Sequence, residues 1–86
     1  MNINQLIEIV EKKILSQDCI SKVLIEDKSF LHKNHPGNQE GKFHLKITIK
    51  SNSLKKMNRI ESNKIVYKVI GEELQKFIHS IQILII

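Results

Sequence analysis

The chain holds no tryptophan, one tyrosine, three phenylalanines, one cysteine, one proline and three glycines. Each shortage excludes something. A single cysteine, Cys19, rules out a disulfide framework within the chain and fits a reducing cytoplasm. It also supplies a structural zinc site poorly, because such sites take four ligands, mostly cysteine. Cys19 is read as a small buried hydrophobe, the usual state of a free cysteine. With so few aromatics the core must be aliphatic, and isoleucine carries most of it. No glycine-rich phosphate loop is present, and no acidic cluster or nucleophile pair supports catalysis, so catalytic residues are not expected. No stretch approaches the ~20 apolar residues of a membrane span, and the apolar end from Ile81 to Ile86 is too short to serve as one. Met1 to Val10 lacks the basic start and apolar run of a signal peptide. The expectation is a cytoplasmic protein without a membrane partner.

What remains is a chain of 86 residues, the size of one domain. Such a domain buries roughly 60–65% of the surface its unfolded chain exposes, enough for one modest core. The formal net charge is +5 and the sequence pI about 9.5. That permits attraction to nucleic acid or to an acidic protein partner and establishes neither. The excess is almost all lysine, and arginine is the better bidentate reader of bases and phosphates, so a solvated basic surface is the plainer explanation.

Ile3, Leu6, Ile7, Val10 and Ile14 recur at helical spacing, with Glu8, Glu11, Lys12 and Lys13 largely opposite. This predicts a first amphipathic helix over about residues 3 to 16, capped by Asn2 or Asn4. Lys22 to Asp27 is short and β-branched and reads as a first strand. Lys28 to Gly41, with His32, His35, Pro36 and Gly37, has no sustained periodicity and reads as a loop of functional length. From Lys42 to Lys50, Phe43, Leu45, Ile47 and Ile49 alternate with His44, Lys46, Thr48 and Lys50. That is a strand with one buried and one basic, wet face, paired antiparallel with the first. Ser53 to Phe77 reads as a helix in two pieces. Leu54, Met57 and Ile60 make a short face, Ser62 or Asn63 caps a new start, and Ile65, Val66, Val69, Ile70, Leu74 and Phe77 form a long apolar stripe. Gly71 within that stripe costs about 1 kcal/mol relative to alanine, and close packing is one use for it. His79 marks the junction to a third strand from Ser80 to Ile86. The order helix, strand, strand, helix, helix, strand predicts an α+β fold with helices packed on one face of a three-stranded sheet.

Several stretches, in order, resemble the BolA family. Asp27-Lys28-Ser29-Phe30-Leu31-His32-Lys33-Asn34-His35-Pro36-Gly37 resembles its D-x-S-x-x-H-x-x-H-x-G stretch, and Gly41 to Ile47 resembles the opening of its second strand. Ser51-Asn52-Ser53-Leu54 resembles the strand exit, with Leu where the family usually has Phe. Glu72-Glu73-Leu74 and Ile78-His79-Ser80-Ile81 resemble its E-E-L and I-H-A-L endings. The likeness spans about residues 22 to 86 and rests on order and spacing rather than on any one piece. It implies a class II KH-like fold, although the G-x-x-G of RNA-binding KH domains is missing. It also implies a non-enzymatic adaptor that binds a monothiol glutaredoxin and shares a bridging 2Fe–2S cluster, in iron–sulfur trafficking or iron sensing. His79 is the implied ligand, joined by one of the loop histidines, His35 or His32, while the partner's cysteine and glutathione hold the other iron. The isolated protein would carry no cluster, and would be a monomer or weak homodimer. Imidazole suits iron, and a histidine-ligated iron opposite a thiolate-ligated one is known chemistry. Read from the residues alone, His79 is an ordinary strand-edge histidine, and His44 packs or hydrogen-bonds on the sheet surface.

The family is also described in transcriptional regulation. A broken helical region over 54–77 could meet DNA through Lys55, Lys56, Arg59 and Lys64, contacting phosphates with little sequence preference. Here the chain departs from the family pattern. Lys55, Lys56 and Met57 stand where a glycine belongs, and Ser62, Asn63 and Lys64 replace a basic R-H-R run. Two of that run's three charged or ionisable groups are gone.

Overall fold

The computed structural model describes residues 2–28 and 43–86. The loop histidines His32 and His35 lie outside the described residues. The elements run α1 (Ile3–Leu15), β1 (Lys22–Asp27), β2 (Phe43–Lys50), α2 (Asn52–Lys56), α3 (Arg59–Val69), α4 (Gly71–Lys76) and β3 (Ile78–Ile85). The sheet order is β1-β2-β3. β1 pairs antiparallel with β2, and β3 returns parallel to β2 after the helical crossover.

α1 starts where Asn2 caps it. The Asn2 side chain accepts from the Gln5 N–H at 2.8 Å and the Gln5 side chain accepts from the Asn2 N–H at 3.1 Å, a reciprocal capping box. Its stripe buries Leu6, Val10 and Ile14. These meet Leu45, Ile47 and Ile49 of β2, with Leu54, Val66, Ile70, Ile78 and Ile83, in one aliphatic cluster. The core is built from residues with period 3.6 on the helices and period 2 on the strands.

The helical region differs from the expectation in three ways. It has three pieces rather than two, and the first break falls at Met57-Asn58 rather than at Glu61-Ser62-Asn63. The cap is Asn58, whose side chain accepts from the Glu61 N–H at 2.9 Å. Ser62 is buried inside α3, its hydroxyl donating to the Arg59 carbonyl at 3.1 Å, and so caps nothing. An asparagine three residues before a glutamate is itself a start signal, and it outweighed the polar run behind it. The expected short face is likewise incomplete: Leu54 is buried, but Ile60 is 70% exposed. Gly71 begins α4, and a Cβ there would meet nothing within 4 Å, so it permits no close approach.

Cys19 is exposed, contrary to its reading as a core residue. The turn after α1 turns Ile20 inward instead, and the Cys19 carbonyl accepts a 2.6 Å hydrogen bond from the Ser51 hydroxyl. Ser51, itself buried, also caps α2 by accepting from the Leu54 N–H at 3.2 Å. One hydroxyl thus joins the α1–β1 turn to the exit of β2. Among the described residues no helix is long and apolar enough to cross a membrane.

Candidate partner-binding site at one end of the sheet

His79 lies inside β3, since that strand starts at Ile78 rather than at Ser80. The ladder explains its setting. Phe43 is opposite Ile78 and His44 opposite Ser80, so β3 contributes an additional residue between the two pairs, and that residue is His79. A bulge of this kind bends the strand and re-aims the extra side chain, and bulges favour sheet edges and functional sites. Here it resets the alternation. Ile78 turns into the core while Ser80 falls on the opposite face, and His79 is exposed between them.

The surroundings are well anchored. The His44 ring nitrogen Nδ1 and the Ser80 hydroxyl are hydrogen-bonded across β2 and β3. His44 is therefore engaged on the sheet surface, as its position in the alternation predicts. The segment that carries His32 and His35 leaves and rejoins the described structure at this same end. On one side the Lys28 N–H donates to the His44 carbonyl at 2.8 Å, and on the other the Phe43 N–H donates to the Phe77 carbonyl at 2.9 Å. Both anchors lie within two residues of His79 or of its cross-strand neighbours in the ladder.

Two described imidazoles stand at this end, His44, hydrogen-bonded to Ser80, and the exposed His79. No group of three or more His, Cys, Asp or Glu among them is placed to hold a metal ion. A cluster divided between two proteins asks less of each chain than a private site does, and an exposed imidazole of borderline softness suits iron.

The four cations singled out for DNA are all exposed. Lys55 and Lys56 form the end of α2, Arg59 opens α3, and Lys64 lies within α3. Lys55 and Arg59 border a shallow groove of about 380 Å³ between the α2–α3 turn and β3, floored by Leu54 and Ile83 to Ile85. Of the helices flanking that turn, α2 has five residues and α3 eleven. Where an R-H-R run would stand, Ser62 points into the protein, leaving Lys64 as the one cation of the three positions.

The sequence signalled the His79 position through its I-H-S-I context. It did not signal the bulge, which depends on how β3 meets a strand more than thirty residues earlier.

Comparison with known proteins agrees with this architecture. The chain matches the BolA-like protein family over residues 16–86. It is 28% identical over 74 residues to the DNA-binding transcriptional regulator BolA of Haemophilus influenzae, covering 86% of this chain and 69% of that one. Among solved structures, BolA1 from Arabidopsis thaliana superposes with a TM-score of 0.72 at 25% identity, covering 91% of this chain and 86% of the other. The BolA domain of SufE1 from the same plant reaches 0.77 at 16% identity, covering 99% and 92%, a likeness of fold alone. The match extends from the end of the first helix through the bulged third strand, and the chain belongs to the BolA-like family.

Proposed function

We propose that this chain is an adaptor without catalytic turnover that binds a monothiol glutaredoxin and shares a bridging 2Fe–2S cluster with it, in iron–sulfur trafficking or iron sensing. The observation that carries the reading is the position of His79. It is exposed on a β-bulge, at the end of the sheet where the segment bearing His32 and His35 is anchored on both sides. A rigid strand holds one imidazole, and the neighbouring segment supplies the candidates for a second. His35 is preferred over His32 because the Pro-Gly that follows it favours a fixed turn. When bound, the cluster would supply the redox and transfer chemistry. This chain contributes ligation by His79 and a docking edge around it.

The test is to mix the protein with a cluster-loaded monothiol glutaredoxin and glutathione, and to record visible absorption and circular dichroism. A changed cluster spectrum with a one-to-one complex, lost in His79→Ala, is the expected result. An unchanged glutaredoxin spectrum without complex formation would sink the proposal.

A second reading, binding to DNA, is favoured by the name of the Haemophilus influenzae relative and by the exposed cations Lys55, Lys56, Arg59 and Lys64. Replacing Lys55, Lys56 and Lys64 by alanine should then flatten the dependence of log affinity on log salt by about 0.9 per lost phosphate contact. The adaptor reading predicts that the same triple variant still forms the glutaredoxin complex.

A further inference from the structure

The helices cover one face of the sheet. The other face is laid out in cross-strand rows. Leu24 of β1, Thr48 of β2 and Leu84 of β3 are register partners and form one row. Leu24 is 56% and Leu84 46% exposed, and Ile86, 49% exposed, stands beside them. The row on one side pairs Lys22 with Lys50, and the row on the other pairs Glu26 with Lys46 and leads to Gln82. The single carboxylate of these rows, Glu26, is already bridged to Lys28 at 3.0 Å. A row with a leucine at each end and Thr48 between them therefore crosses all three strands, with Lys22 and Lys50 on one side and Lys46, opposite Glu26, on the other. A shallow depression of about 230 Å³ lies on this face, lined by Lys22, Leu24, Thr48, Lys50 and Ile86 among others.

We propose that this face docks an acidic amphipathic helix of a partner protein, lying across the strands along the Leu24–Thr48–Leu84 row. The dimensions agree. Alternate residues of a strand are about 7 Å apart, so the lysine rows lie about 7 Å to either side of the apolar row. A helix about 10–12 Å across, with its apolar stripe on the central row, carries its flanking side chains over those lysines. Carboxylates there meet Lys22 and Lys50 on one side and Lys46 on the other.

Other occupants fit less well. A second copy of this face would bring Lys22, Lys46 and Lys50 of both copies together against only one carboxylate each, Glu26, a net like-charge excess. Nucleic acid has no use for an exposed leucine band, and the one arginine of the chain, Arg59, is on α3. A membrane surface is usually gripped by aromatic anchors, and these rows contain none. Leu84, at one end of the row, also borders the groove that Lys55 and Arg59 line, while Leu24, Thr48 and the lysines of β1 and β2 lie away from it. The proposal stands whether or not His79 holds a cluster.

The test uses a designed peptide of about 14 residues, long enough as a helix to span the sheet, with a leucine stripe flanked by glutamates. It is titrated into the isotope-labelled full chain and followed by amide chemical shifts. Shifts confined to the central stretches of β1, β2 and β3 are expected. Lys46→Glu with Lys50→Glu should weaken binding at least about tenfold, and a peptide with lysine flanks should then bind the double variant better than the wild type. That swap keeps the test decisive even if the variant is less stable. His79→Ala should bind the glutamate peptide like the wild type. Absence of binding, shifts centred on the helices, or equal affinity for the glutamate and lysine peptides would overturn the proposal. So would stronger shifts on this face from a DNA duplex or from anionic phosphatidylserine vesicles than from the glutamate peptide.

Discussion

Along β2, Leu45, Ile47 and Ile49 are fully buried, while His44, Lys46 and Thr48 between them stay partly in water and Lys50 is exposed. Both sets share one backbone ladder, so the difference between the two faces of the sheet comes from what lies against each. The covered face has α1 and the α3–α4 crossover packed onto it, and its aliphatic side chains are held in a close-packed interior. Among the described residues no helix packs on the open face, and its rows of lysine and leucine are spaced by the pleat. One face therefore holds the fold together, and the other keeps its described side chains at least partly in water. His79 sits at the end of the sheet where a bulge interrupts this alternation.

The largest test of the contrast is on the covered face. Ile47→Ala removes methyl groups from a fully buried site and should cost about 2–5 kcal/mol in chemical denaturation, because the surrounding cluster closes the cavity incompletely. Ser51→Ala comes next. It deletes both the cap of α2 and the bond to the Cys19 carbonyl, and should lower stability by about 1–2 kcal/mol in the same assay.

A smaller effect is expected where α1 meets α4. Lys13 is ion-paired with the buried Glu73, whose Oε2 finds no hydrogen-bond partner among the described residues. The hydrogen bond to Glu73 chiefly holds the Lys13 ammonium above its ordinary value of 10.5, against an opposing cost of desolvation. A raised folded value means that the pair's stabilisation is fully present below the unfolded value and is lost as pH rises through the folded one. Melting temperature should therefore fall as pH climbs past about 10.5 more steeply in the wild type than in Lys13→Met. At neutral pH, Lys13→Met should itself melt lower than the wild type, because it leaves the Glu73 carboxylate buried without its cation.

On the open face the smallest changes are expected. Leu84→Ser should alter stability by no more than about 0.5 kcal/mol, since the side chain is already half in water. If it costs as much as Ile47→Ala, the two faces are not the separate regions described here. Acid should act weakly on this face as well. The hydrogen bond from Lys28 holds the Glu26 carboxyl below its ordinary range, so its contribution is present at neutral pH and fades as pH falls below about 4.5.

Much of this was legible in the residues because it is periodic. The alternation from Phe43 to Lys50 announced β2 and its two faces, Leu6, Val10 and Ile14 announced the buried stripe of α1, and Lys22 to Asp27 was found to the residue. The helical region was harder. Its apolar positions are nearly continuous, so the breaks are set by caps rather than by pattern, and the Asn58 cap competed with the polar run at Ser62 and Asn63. Cys19 misled because burial in a turn depends on which of two adjacent residues the chain rotates inward, and Ile20 won that place. His79 was identified by its neighbours in sequence, while its exposure was set by the bulge.

The sequence by itself determined which residues must be hidden, because the hydrophobic effect acts on side chains whose spacing along helix or strand is fixed by backbone geometry. It also determined the basic charge and the absence of a disulfide framework. Only the tertiary structure decided which groups from distant segments meet. The parallel return of β3 set its register against β2, brought Leu84 into line with Leu24 and Thr48, and left His79 as the extra residue of the ladder. Such pairings depend on long-range hydrogen bonding and on how the crossover helices pack, which no local pattern specifies.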